Sequence, residues 1–131
     1  MQHESAFVTA FVAPARRARY LTLLETRRGR AKLRACLAHD LDLDARFARR
    51  LAHHTPAAIL QLLRQEGAPE LCHALSESNV LDGQDLQLGA ALEQVVGQGC
   101  GTVLSCLPGQ LAYYEAEDPG ARYLLIRRKP A

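Results

Sequence analysis

Arg46, Arg49, Arg50 and His53 recur at i, i+3, i+4 and i+7, the spacing that gathers side chains on one face of a helix. Phe47, Ala48, Leu51 and Ala52 would supply the buried side of that helix, with Asp44 as its N-cap. Four cationic groups on one face can span several phosphates or an acidic protein patch, which is anion recognition rather than bond-making chemistry. A second run, Thr26-Arg27-Arg28-Gly29-Arg30-Ala31-Lys32, is the densest basic stretch in the chain. It has no interleaved aromatic residues for base stacking and no helix-turn-helix pattern around it. The candidate binding residues are therefore Arg46, Arg49, Arg50, His53, Arg27, Arg28, Arg30 and Lys32, with a solvated helix face as the plain alternative for each.

Groups able to make or break bonds are sparser. In a strand, Tyr113, Glu115 and Glu117 would share one face while Tyr114 looks to the other. Paired carboxylates near a phenol suit acid–base work, but the preferred reading makes them cross-strand partners of Arg122 and Arg127. The pairs Cys72-His73 and Ser105-Cys106 are each adjacent, so strand alternation separates the members of each pair. A thiol–imidazole dyad would need Cys106 to meet His73 across neighbouring strands. No two of the cysteines at 36, 72, 100 and 106 have the short spacing of zinc ligands, and they read as reduced, mostly buried small hydrophobes. Asp40, Asp42 and Asp44 read as turn and cap residues, since the glycine and later glutamate of a calcium loop are missing. Gly97, Gly99 and Gly101 follow a helix rather than precede one, so they approach the wrong end of its dipole for a phosphate loop. No cofactor or metal is expected from these patterns.

These groups sit on elements whose limits are partly written in the chain. Phe7, Val8, Phe11 and Val12 make one helical face, and Pro14 closes that segment and opens a second with Tyr20, Leu23 and Leu24. Gly29 marks an expected break before a third stripe, Leu33, Cys36 and Leu37. Thr55-Pro56 begins a helix and Gly67 ends it. Beyond it the spacing predicts a strand at 71–75, an Asp82-Gly83 turn, a helix over 87–98, and strands over 102–107, 111–117 and 122–128. Tight turns at Pro108-Gly109 and Asp118-Pro119-Gly120 make the last three strands an antiparallel meander. The fold class is α+β, with four or five short N-terminal helices packed on one face of a small C-terminal sheet.

A length of 131 residues, 48% hydrophobic and 23% charged, fits one domain over 1–131. Its charge is divided at Gly67. Residues 1–66 hold twelve of the sixteen Lys and Arg and six of the fourteen Asp and Glu, +6, leaving four and eight, −4, for the β-α-β-β-β part over 67–131. No apolar run approaches the roughly 20 residues needed to cross a bilayer, and the N-terminus lacks the form of a secretory signal, so the expected location is the cytoplasm. The expected function is a non-enzymatic binding or regulatory domain that presents an Arg-rich helical surface to an acidic partner. The alternatives are a nucleic-acid-binding protein using the same helices, and a small enzyme with Cys106, His73, Glu77 and Glu115 around a pocket between sheet and helices. The last strand would leave an open edge for a second copy, with Arg127, Arg128, Lys129 and Pro130 as protection against that pairing.

Overall fold

The computed structural model describes residues 2–39, 41–118 and 120–128; Asp40, Pro119, Lys129 and Pro130, invoked above, lie outside the described residues. Three helices come first: α1 (Gln2–Phe11), α2 (Pro14–Leu23) and α3 (Arg27–Cys36). A 3-10 turn, Ala45–Phe47, leads into β1 (Ala48–Arg50), followed by α4 (Pro56–Gln65), β2 (Leu71–Ser76) and β3 (Asp85–Gln87). The chain closes with α5 (Leu88–Val95), β4 (Thr102–Leu107), β5 (Leu111–Glu115) and β6 (Arg122–Ile126). The class is α+β, with every strand pair antiparallel in one sheet of order β1-β6-β5-β4-β2-β3. Among the described residues no helix is long and apolar enough to cross a membrane.

Helices cover both faces of the sheet, not one as expected. Phe7, Phe11, Tyr20, Leu33 and Leu37 from α1, α2 and the end of α3 pack with Leu75, Val103, Tyr114 and Leu125. Ile59 and Leu63 of α4 and Leu88, Leu92 and Val95 of α5 pack with Ala74, Leu104, Tyr113 and Leu124 on the other side. The reason lies in the strands. Successive side chains point to opposite faces, and Thr102 to Cys106 are all buried, so each face carries apolar area that needs a cover. The result is three layers with two cores.

The largest departure concerns residues 45–53. Asp44 does act as a cap, its side chain accepting from the Arg46 N–H, but only a single 3-10 turn follows. The chain then extends, because β6 has an unpaired edge whose backbone groups need partners. Ala48 pairs with Leu125, Arg49 with Leu124 and Arg50 with Tyr123, and the Leu51 N–H donates to the Arg122 carbonyl. Backbone pairing with a distant strand overrides a local helical periodicity. Two consequences follow. β6 is flanked by β1 and β5, so it is not the open edge expected for self-association. The charge boundary at Gly67 is also not a structural one, since β1 carries the front of the chain into the sheet.

Gly29 is not a break; it lies in the first turn of α3, behind the Thr26 cap whose hydroxyl accepts from the Gly29 N–H at 2.9 Å. The first predicted strand lies beside the second, β2 against β4, and antiparallel to it. At Gly67 the backbone takes φ +100°, the left-handed turn that stops α4 where glycine was read as its end.

Candidate functional site

The structure divides the arginines into those spent on the fold and those left to solvent. Arg30 turns inward from α3, both Nη groups donating to the Glu4 carboxylate and Nη2 also to Asp82 at 3.1 Å. Arg34, one turn on, donates to the Ser76 carbonyl at 2.7 Å, the Glu77 carbonyl at 2.9 Å and the Asn79 side chain at 2.8 Å. Arg46 pairs with Asp44 at 2.7 Å, and Arg50 donates to the Gly120 carbonyl at 3.1 Å. Arg49 points to the opposite sheet face from Arg50, and His53 stands in the exposed segment before α4. The predicted Arg46, Arg49, Arg50 and His53 face is therefore not formed, because its helix is not formed.

Arg27, Arg28 and Lys32 behave differently. Helical rotation places them with Ala31 and Ala35 on the outer side of α3, and all five are exposed. None of the three cations pairs with a carboxylate among the described residues. Leu33 and Gly29 occupy the buried side. Of the eight residues predicted for binding, these three are the ones the fold brings together and leaves free.

Beneath α3 lies a buried polar network that sequence reasoning missed. Glu4, on the first turn of α1, is 5% exposed and His73, on β2, is 2% exposed. The His73 Nε2 lies 2.7 Å from a Glu4 oxygen and its Nδ1 lies 2.7 Å from Asp85, opposite it on β3. The His3 ring stacks on His73 with centroids 5.5 Å apart, and its Nδ1 lies 2.7 Å from the Ser105 hydroxyl. Burial pushes the Glu4 carboxyl up, but hydrogen bonds from His73 and Arg30 outweigh it and hold the group at about 2. The Glu4 hydrogen bond raises His73 against the effect of burial, with Asp85 assisting. Burial, then the neighbouring His73 charge, lowers His3. The carboxylates thus favour the charged form of His73, while burial favours the neutral form of His3.

His3 on the Ser105 hydroxyl is half of a nucleophile–base pair. It lacks the other requirements. There is no room between these side chains for even one water, and among the described residues no group hydrogen-bonds the other ring nitrogen of His3 to orient it as a base. The arrangement fits a clamp that ties α1 and α3 to the sheet. Signals for it were present: Glu4 falls at i−3 and i−4 from Phe7 and Val8 on an apolar helical face, and His73 interrupts the apolar run 71–75.

The enzyme candidates do not converge. Register sets Ser105, not Cys106, opposite His73, and Cys106 belongs to the other face. Burial pushes the Cys72 thiol up to about 12 and raises Cys106 as well, the reverse of a reactive cysteine. Glu77 accepts from the Gly101 N–H at 2.8 Å. Glu115 accepts from the Tyr113 hydroxyl at 2.7 Å, from Arg122 at 3.2 Å and from the Gly97 N–H at 3.0 Å, so it is a cross-strand partner of Arg122 as expected. Arg127 does not join it; its Nη1 donates to the Ala10 carbonyl at 3.1 Å. Asp42 and Asp44 hold Arg16 and Arg17, each at 3.1 Å.

No family model matches the chain, and no curated protein or solved structure matches it either.

Proposed function

We propose that the chain is a non-enzymatic cytoplasmic binding domain that docks an acidic protein surface on the outer face of α3 through Arg27, Arg28 and Lys32. One observation carries this reading. On a single helix, Arg30 and Arg34 are engaged within the fold while the three outward cations hold no carboxylate among the described residues. Arg27 and Arg28 also stand in the first helical turn, where positive charge opposes the helix dipole at a cost of about 0.3–1 kcal/mol each. Among the described residues no carboxylate offsets that cost, whereas an anionic partner would. The small alanines between the cations let a partner approach the helix closely. All four cysteines are free thiols, as suits a reducing compartment.

Nucleic acid is the second reading, and it draws on the same charge. It is the weaker of the two because the exposed α3 face has no aromatic side chain on which a base could stack.

Fluorescence anisotropy with a labelled poly-glutamate peptide, and with single- and double-stranded DNA and RNA, separates the readings. The expected result is peptide binding that weakens with salt and is lost in an Arg27→Ala/Arg28→Ala/Lys32→Ala variant, while Arg46→Ala/Arg49→Ala/Arg50→Ala binds as the parent does. Nucleic acid bound more tightly than the peptide would replace the first reading with the second. No binding to either at low salt would sink both.

A further inference from the structure

A groove of about 530 Å3 runs between the outer side of α1 and the β4–β5 turn, lined by Thr9, Ala10, Arg17, Pro108, Arg127 and Arg128 among others. No acidic side chain lines it among the described residues, and no residue of α3 reaches it. Its size lies within the range of small-molecule sites, about 300–1,000 Å3.

Its three arginines are held from behind. The Arg17 Nε donates to the Val12 carbonyl at 2.8 Å and its Nη2 to Asp44 at 3.1 Å. The Arg128 Nη2 donates to the Glu66 carbonyl at 2.6 Å and to its carboxylate at 3.0 Å. Arg127 has no carboxylate partner among the described residues. The Ala10 carbonyl and the Phe47 ring, 4.5 Å from its guanidinium carbon, hold it in place. Stacking fixes a guanidinium without neutralising it or using all its donors. Three guanidiniums have two carboxylate partners among the described residues, and one of these, Asp44, is shared with Arg46, so the groove keeps at least one uncompensated charge, on Arg127, whose planar fork matches two oxygens of a phosphate.

We propose that this groove binds a small phosphate-bearing molecule, its phosphate on Arg127 and Arg17 and its remaining body along Ala6, Ala10 and Pro108. The site is independent of the α3 face, so either proposal can fail alone.

The test is a titration of the 15N-labelled full chain with inorganic phosphate, pyrophosphate and AMP, followed by amide chemical shifts. The expected result is saturable shifts at Thr9, Ala10 and Gly109, with pyrophosphate or AMP binding more tightly than phosphate. Arg127→Met keeps an apolar contact on Phe47 and should weaken binding about tenfold or more, with resonances elsewhere unchanged. No shift at millimolar ligand, shifts centred instead on residues 27–32, or equal affinity in Arg127→Met would overturn the assignment. A single-stranded oligonucleotide that shifts the same amides more tightly than AMP would make the ligand a polymer and overturn it too.

Discussion

Glu4 takes a place on α1 that an apolar residue would fill, and the fold makes it the meeting point of Arg30 and His73. Removing one partner of a buried charge cluster leaves the others uncompensated. Glu4→Gln should therefore cost about 3 kcal/mol at neutral pH, read by urea unfolding; Arg30 keeps Asp82, which places the loss at the lower end of the range for such breaks. The cluster also sets the pH response. Glu4 is lowered from 4.5 to about 2, so its stabilisation is complete above pH 4.5 and is lost as pH falls toward 2. His73 is raised from 6.5, so its share is complete below pH 6.5 and is lost as pH rises through its folded value. His3 is lowered from 6.5 and runs the other way, costing stability below pH 6.5 because only the unfolded chain readily takes the proton. Imidazole resonances should therefore show His73 titrating above 6.5 and His3 below it, and Glu4→Gln should bring His73 down. Titrating in the opposite order would contradict the clamp. The charged residues themselves were legible as anomalies in apolar patterns, but their pairing was not, since His73 lies sixty-nine positions from Glu4.

At the level of elements, α3 shows how a close approach reverses a propensity. Glycine in a helix interior costs about 1 kcal/mol relative to alanine, so Gly29→Ala would ordinarily stabilise. Here a methyl group at residue 29 would meet the Leu23 backbone, with Leu23 Cα at 2.9 Å, at the corner where α2 turns into α3. Backbone cannot yield as a flexible side chain does, and Gly29→Ala should instead destabilise by about 2 kcal/mol, measured as a shift in the unfolding midpoint. A stabilised variant would mean that the α2–α3 corner is looser than described. The same contrast explains which elements could be read. α4 was legible at both ends because Thr55, Pro56 and Gly67 act on their own backbone, with the Thr55 hydroxyl accepting from Ala58 at 3.2 Å. β1 was not, because Ala48 to Arg50 become a strand only by pairing with residues more than seventy positions away.

Across the whole molecule, the two helical layers protect the sheet unequally. β4 and β5 are central and buried on both faces, while β1 and β3 are three-residue edges carrying Arg49, Arg50, Asp85 and Gln87. Short, polar edges discourage sheet-to-sheet association. Native-state hydrogen exchange should find the slowest amides at Val103, Leu104, Tyr113 and Tyr114 and much faster exchange in β1 and β3; uniform protection across the six strands would argue against this layering. What the sequence by itself determined is the set of local features: the α1, α2 and α4 stripes, the caps at Asp44 and Thr55, the stop at Gly67, the final meander and the asymmetry of charge. Each depends on residues within a turn or a hairpin of one another. Tertiary structure alone decided that the helices take both faces of the sheet, that residues 48–50 become a strand, and that Glu4, Arg30 and His73 meet. It also decided which cations remain free, because a charge is spent or left to solvent only when distant segments bring, or fail to bring, a carboxylate beside it.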